Sequence, residues 1–154
     1  MPKQRITDIK EMEKILFECD SGVITTLNPD GSPYAVPVNY VYYNGKIYIH
    51  SALKGKKTEN IKHDPRVCFV AYIMDSIIPA KRADDFSASY QSVIIFGKAH
   101  LISNYEEKVE PLNALIAKYA KGLSFEPMTK ECIDATAIIE IEIDEMTGKR
   151  SFPR

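Results

Sequence analysis

The chain has 154 residues, of which 45% are hydrophobic and 27% are charged, a composition typical of globular proteins. Twenty lysine and arginine residues nearly balance 21 aspartate and glutamate residues, which leaves a net charge of −1. Such a chain has no overall attraction for nucleic acid or acidic membranes, so neither is an expected partner. The length suits one independent core, and residues 1–154 are predicted to form a single domain.

The three cysteines (Cys19, Cys68 and Cys132) are too widely spaced for a zinc motif, and no metal site is predicted. Cys68 lies within an apolar run and is interpreted as a small buried side chain. No apolar stretch near the first residue is typical of a signal peptide, and no segment has the length of a membrane helix. We therefore expect a cytoplasmic protein with reduced cysteines and no membrane partner.

In chain order, the first predicted element is a helix capped by Asp8. Its apolar residues recur at helical spacing and form one face: Ile9, Met12, Ile15, Leu16 and Cys19. Residues 23–27 then form a short strand. Two further strands, 34–43 and 46–51, flank Asn44-Gly45, which is a strong hairpin signal. Residues 23–51 are thus predicted as an antiparallel three-stranded meander.

The second half of the chain continues this pattern. A short helix is predicted at 55–64, an apolar central strand at 66–74, a long loop at 75–89, and a long strand at 90–103 in which Gly97 marks a bulge or bend. An amphipathic helix follows, and residues 137–146 alternate isoleucine with acidic residues, as in a strand with one solvated face. The prediction is a mainly β (α+β) domain, a six-stranded antiparallel β-barrel with flanking helices and closed edges.

The turn HSALKGKK (50–57) is the clearest candidate binding segment. Ser51 ends a strand, and Gly55, Lys56 and Lys57 open a helix, whose free N–H groups and partial positive charge attract anions. These residues would suit a phosphate monoester. A solvated lysine-rich turn has the same composition, so both interpretations stay open.

Two other segments have polar residues within predicted strands. Pro37 cannot donate a hydrogen bond to a neighbouring strand, so its strand must have a free side, facing either a planar ligand or solvent. Gln91 and Ser92 begin a strand after a long loop, where polar residues often have no ligand. His50 lies in an apolar strand and is either structural or an acid–base group. Because no nucleophile motif, P-loop or GxGxxG occurs, any enzymatic chemistry would come from a cofactor.

The order of these segments resembles the pyridoxamine-phosphate-oxidase-like FMN-binding split barrels, and within them the 5-nitroimidazole-resistance branch. The resemblance rests on a helix, GSPYAVPVNY, NGKIYIHSALKGKK, PRVCF, YQSVIIFGKA, a second helix and a last strand ending MTGK. It extends from about Ile6 to Lys149. It implies a six-stranded split barrel that forms a homodimer, with FMN bound between the two subunits.

The resemblance also implies roles for individual residues. Lys56 and Lys57 match the basic pair that holds the FMN phosphate, with Ser51 and Ala52 beside them, and His50 is the candidate proton donor near the ring. Two strand segments match those that border the flavin. The first contains Pro37, Val38, Asn39 and Tyr40. The second contains Gln91, Ser92 and Val93 and would approach the flavin from either the same or the other subunit.

The expected function is that of a flavin-dependent reductase, which passes electrons from a reduced carrier to a small acceptor such as a nitroimidazole. A non-enzymatic flavin-binding stress or sensor protein would need the same site and is an alternative. Pyridoxamine-phosphate oxidation is a weaker alternative. Those oxidases end in a motif with tryptophan and arginine, whereas this chain contains no tryptophan and ends KRSFPR.

Overall fold

Eight strands form one antiparallel sheet in the computed structural model, which describes residues 3–152. The helices and strands are β1 (Lys3–Ile6), α1 (Ile9–Glu18), β2 (Gly22–Leu27), β3 (Pro33–Val38), β4 (Val41–Tyr43), β5 (Lys46–Ala52), α2 (Lys56–His63), β6 (Arg66–Ile78), β7 (Ser87–Ile102), α3 (Tyr105–Tyr119), α4 (Lys130–Asp134) and β8 (Thr136–Ser151). None of these helices is long and apolar enough to cross a membrane.

The strand order explains the shape of the sheet. Neighbouring strands follow the order β3-β2-β6-β7-β8-β5-β4, and β1 adds to β8. The two end strands, β3 and β4, are consecutive in the chain and are joined by Asn39 and Tyr40 alone. The sheet must therefore curl until its ends meet at this link. Because β3 and β4 do not pair within the described residues, the result is a split barrel, and the predicted closure of the edges is wrong.

The mainly β architecture with flanking helices is confirmed, but eight strands replace the predicted six. One additional strand is β1, which pairs with the end of β8. The other arises because the predicted strand 34–43 is interrupted at residues 39–40. Here the Tyr40 N–H bonds to the hydroxyl of Tyr119, and the Tyr40 carbonyl accepts from Lys118, so neither group joins a neighbouring strand.

Several local predictions can be compared directly. The hairpin at Asn44-Gly45 is confirmed, with φ of 52° and 75° at the two residues. The bend at Gly97 is also confirmed. Strand pairing shifts there, and a Cβ on Gly97 would lie 2.1 Å from the carbonyl oxygen of Glu142. The loop predicted at 75–89 is shorter, since β6 continues to Ile78 and β7 begins at Ser87.

Two burial predictions are wrong in detail. Ile9, the first residue of α1, is 60% exposed, whereas the other residues of its predicted face are buried. Cys68 is half-buried, because its side chain lies on the outer side of the sheet between the flanking strands. The core itself fills the inside of the curled sheet and includes Ile24, Phe69 and Ile95. Each such side chain contributes about 1.5–3 kcal/mol by its burial.

Candidate functional site

A cleft of about 350 Å³ lies at the link between β3 and β4. We call it the lysine cleft, and its walls come from four separate elements of the split barrel. The residues that line it are Ser21, Pro37, Val38, Asn39, His50 and Lys57. Four of the predicted ring-side and catalytic residues, together with one predicted lysine, are thus brought together here. Ser21 was not predicted, because its place depends on strand pairing.

Strand pairing explains how Ser21 reaches the cleft. Gly22 pairs with Val38, which brings the residue before Gly22 beside Asn39. Gly22 also lies against the core, where an added Cβ would be 2.3 Å from the ring of Phe69. A side chain at position 22 would push β2 outwards. The glycine therefore allows β2, next to the cleft, to lie directly on the core.

The free edge of β3 forms one wall of the cleft. β3 is an end strand of the sheet and pairs with β2 alone in the described chain, which confirms the free side predicted from Pro37. Pro37 and Asn39 are both exposed. Backbone groups on this edge are consequently available to a flat ligand seated beside it.

The first turn of α2 gives the cleft its positive character. Gly55 precedes the helix with φ of 155° and ψ of 168°, a conformation that favours glycine, and no side chain caps the turn. By contrast, α1, α3 and α4 are capped by Asp8, Asn104 and Thr129. The N–H groups at the start of α2 are therefore available to an anion, and Lys57 adds a full charge.

The two lysines of this turn have different surroundings. Consecutive helical residues point about 100° apart, and the Lys56 ammonium lies 4.6 Å from the centroid of the Tyr34 ring, while Lys57 lines the cleft. Ser51 and Ala52 pair with β8 at the end of β5 and are not part of the cleft wall. Of the residues predicted to hold a phosphate, Lys57 is therefore the one that lines the cleft within a single chain.

Tyr40 anchors the cleft from behind instead of bordering it, which corrects its predicted role. Its side chain is fully buried, and its hydroxyl donates to the Leu16 carbonyl at 2.6 Å. The ring packs edge-on against Phe69, with 4.8 Å between centroids. Its backbone N–H and carbonyl are bonded to Tyr119 and Lys118 at 2.9 and 2.8 Å. These contacts fix the position of the preceding residue in the cleft.

Burial perturbs the ionisable groups of this anchor. Desolvation lowers the pKa of Lys118 to about 8, and its ammonium lies 3.7 Å above the centroid of the Tyr40 ring. Desolvation also raises the pKa of the Tyr40 hydroxyl. The hydroxyl of Tyr119 donates to the Asp20 carbonyl at 2.6 Å, and burial raises its pKa as well. Burial thus disfavours the charged form of each of these three side chains.

Gln91, Ser92 and Val93 lie on β7, away from the lysine cleft of the same chain. Val93 is fully buried in the core and cannot contact a ligand. Adjacent strand residues point to opposite faces of a sheet, so Gln91 shares the inward direction of Val93. Ser92 faces outwards, level with Tyr72 of β6. Of these three residues, Ser92 is therefore the one that an outer-face contact could reach.

A second cavity, of about 360 Å³, adjoins the cleft, and we call it the helix cavity. It lies between α3, α4 and β5, and it shares Asn39 and His50 with the lysine cleft. Its other lining residues are Leu112, Leu115, Ile116, Tyr119, Ala120, Met128, Cys132 and Thr136. The sequence predicted the apolar face of α3 but not that part of this face borders a cavity.

The outer surface of the central strands is unusually apolar. Tyr72 and Met74 on β6 are 64% and 57% exposed, and Ile94 and Phe96 on β7 are 38% and 49% exposed. These four residues define what we call the outer face. A row of paired residues runs from Ile94 across β6 and β2 to Pro37 in the cleft wall. The outer face thus reaches the edge of the lysine cleft.

A protein-family model described as pyridoxamine 5′-phosphate oxidase matches residues 8–150. The chain belongs to this family. The match spans almost the whole split barrel, including both cavities, and agrees with the resemblance found in the sequence. No curated protein matches the chain significantly.

Solved structures of similar proteins support the fold. A Bacteroides thetaiotaomicron protein, proposed to confer 5-nitroimidazole antibiotic resistance, is 24% identical, with a TM-score of 0.84 and coverage of 97% of this chain and 89% of that one. A flavocytochrome from Azotobacter vinelandii has 22% identity, a TM-score of 0.85 and coverages of 97% and 70%. An FAD- and haem-binding protein from Mycobacterium smegmatis has 19% identity, a TM-score of 0.87 and coverages of 97% and 74%.

Proposed function

We propose that this protein binds FMN in the lysine cleft and acts as a reductase that passes electrons to a small acceptor. The observation that carries the proposal is that Lys57, in the first turn of a helix with no side-chain cap, lines the same cleft as Asn39 and His50. One end of this cleft suits a phosphate, and the other offers polar side chains to a flat ring. Membership of the family and the FAD-binding structural relatives support a flavin as the ligand.

The residues of the cleft fit a phosphate-bearing flavin. Lys57 and the first N–H groups of α2 would hold the phosphate. The free edge of β3 at Pro37 and the amide of Asn39 would orient the polar edge of the ring. When bound, the flavin supplies the hydride and electron transfer that the side chains themselves cannot perform.

His50 is the proposed proton donor. It is exposed, and it borders both the cleft and the helix cavity. An imidazole can carry and donate a proton, so His50 would supply the proton that accompanies hydride transfer. In the overall reaction a reduced nicotinamide loses a hydride, and a nitro compound takes up this hydride and one proton to give a nitroso compound and water.

We also propose that the protein is a homodimer that pairs through the outer face. Exposed apolar patches of this kind mark interaction surfaces, and Tyr72, Met74, Ile94 and Phe96 form one patch. The row from Ile94 to Pro37 would bring a second copy to the edge of the lysine cleft. Ser92 lies on the same face, so a second subunit is its route to a flavin.

The proposal is tested by isolating the protein and identifying what it binds. We expect a yellow protein that releases FMN on denaturation, and oxidation of reduced nicotinamide when a nitroimidazole is added. Bound FMN without turnover of any acceptor would favour the sensor alternative. Hydrogen peroxide formed from pyridoxamine phosphate would favour the oxidase alternative. A colourless protein that does not take up added FMN would contradict the proposal.

A further inference from the structure

We infer that the helix cavity binds the electron acceptor and selects uncharged aromatic compounds, an inference that rests on the proposed function. The cavity lies beside the lysine cleft and has the opposite character. Among the described residues that line it, none carries a formal charge with histidine counted as neutral, and most are apolar side chains of α3 and the segment that follows it.

Two of the polar groups in the cavity wall, the hydroxyls of Tyr119 and Thr136, are already engaged in hydrogen bonds within the protein. The hydroxyl of Tyr119 accepts from the Tyr40 N–H at 2.9 Å and donates to the Asp20 carbonyl at 2.6 Å. The hydroxyl of Thr136 donates to the Cys132 carbonyl at 2.8 Å. A charged ligand entering this cavity would lose water and, with histidine counted as neutral, find no charged partner among the described lining residues. An uncharged ring would lose little and would bury its apolar surface.

Size and position agree with a small aromatic acceptor. A volume of about 360 Å³ is at the lower end of the range of about 300–1,000 Å³ for small-molecule pockets. The cavity can therefore hold a bicyclic quinone or a nitroimidazole. Because Asn39 and His50 border both spaces, such a compound would lie next to a ring held in the lysine cleft.

His50 would then donate a proton to one particular atom of the acceptor. Because His50 lines both spaces, its imidazole would lie near the end of an acceptor that is closest to the cleft. In the overall reaction, a quinone that takes up the hydride lost by a reduced nicotinamide would also need one proton to become a hydroquinone. His50 would donate that proton to the quinone oxygen and regain it from solvent.

The test fills the cavity without touching the cleft. Ala120→Phe and Cys132→Phe add a ring at two different walls, and Cys132 is exposed, so its replacement does not disturb the core. Ala117→Phe adds the same ring at an exposed position of α3 outside the cavity and is the matched control. Each variant is compared with wild type for binding of menadione by calorimetry, for the KM of menadione and of ferricyanide, and for FMN affinity.

We expect both filling variants to weaken menadione binding and raise its KM by about tenfold or more. The ferricyanide rate, the FMN dissociation constant and every property of Ala117→Phe should stay within about twofold. Unchanged menadione binding in both filling variants would overturn the inference. Weaker FMN binding in them would assign the cavity to the flavin and would also overturn it.

Failure of the proposed reductase function can be distinguished from failure of the inference about the helix cavity. If wild type binds no FMN, the reductase proposal is wrong, while calorimetry with menadione still tests the cavity directly. Menadione that binds wild type and Ala117→Phe but not the filling variants would support the site. Absence of binding to wild type would overturn it.

Discussion

The lysine cleft and the helix cavity share Asn39 and His50 yet differ in nearly every other respect. The cleft is lined by residues of the end strand β3 and by Lys57, which lies in the first turn of the uncapped helix α2. The cavity is walled by apolar side chains of α3 and by hydroxyl groups already bonded within the protein. Two adjoining spaces of similar volume are therefore suited to different ligands, one anionic and one uncharged.

This difference follows from where the split barrel opens. Because the sheet does not close at residues 39–40, the gap is filled by elements from elsewhere in the chain, α2 on one side and α3 on the other. α2 approaches with its positive end, whereas α3 approaches with its apolar side. A single interruption in a strand thus produces two neighbouring sites of opposite polarity.

The largest expected effect separates Lys57 from the two lysines that precede it, Lys54 and Lys56. Lys57→Ala should raise the FMN dissociation constant by roughly 10- to 150-fold, because a charge-assisted hydrogen bond contributes about 1.5–3 kcal/mol. Lys54→Ala, in the exposed turn before α2, should cost on the order of 0.5 kcal/mol, or about twofold. Lys56→Ala, whose side chain lies over Tyr34, is a second control. Flavin fluorescence titration measures all three, and equal losses at the three positions would remove the distinction.

The next effect concerns the outer face. Ile94→Asp should raise the dissociation constant of the proposed dimer by about tenfold or more, because a carboxylate would be buried in an apolar contact. Leu123→Asp places the same charge at another exposed apolar position, 67% exposed and outside the outer face, and should leave the mass unchanged. Light scattering over a range of concentrations reports both. A wild-type monomer that still binds FMN would contradict the dimer proposal.

A smaller effect, on stability, is expected at the contact between α3 and the interruption that separates β3 from β4. Tyr119→Phe removes the hydroxyl that bonds Tyr40 and Asp20, and it should lower the free energy of unfolding by about 1–3 kcal/mol. Tyr34→Phe removes a hydroxyl from β3 and should change stability by less than about 0.5 kcal/mol. Urea unfolding compares the two variants. A Tyr119→Phe protein as stable as wild type would show that this contact does not hold the break.

A further effect depends on pH. Because the pKa of Lys118 is lowered from 10.5 to about 8 in the folded protein, the unfolded chain binds more protons between these values, and folding gains stability as pH rises through them. Lys118→Met removes this contribution. The stability of wild type relative to the variant should therefore increase from pH 8 towards pH 10.5. A constant difference, measured by urea unfolding across that range, would mean that Lys118 is not perturbed by burial.

Local sequence signals predicted much of the framework. Asn44-Gly45 located a hairpin, Gly97 located a shift in strand pairing, and Pro37 indicated a free strand edge, because each depends mainly on backbone constraints of the residue itself. The strand break at Tyr40 could not be predicted in this way. It depends on Tyr119, which lies 79 residues further along the chain.

The sequence likewise predicted some residues of the candidate site and missed the orientation of others. Segment order indicated the cleft residues Asn39, His50 and Lys57. The sequence did not reveal that Lys56 and Tyr40 point elsewhere, since helical direction and core packing decide their orientation. The helix cavity was not predicted either, because an apolar helix face has the same sequence pattern whether it borders a packed core or a cavity.

The most direct test of the central claim compares FMN with riboflavin, which lacks the phosphate. If Lys57 and the start of α2 hold that phosphate, fluorescence titration of wild type should give a dissociation constant for FMN at least about tenfold below that for riboflavin. The ratio should fall towards one in Lys57→Ala. Equal affinities of wild type for the two flavins would contradict the assignment of the lysine cleft as a phosphate site.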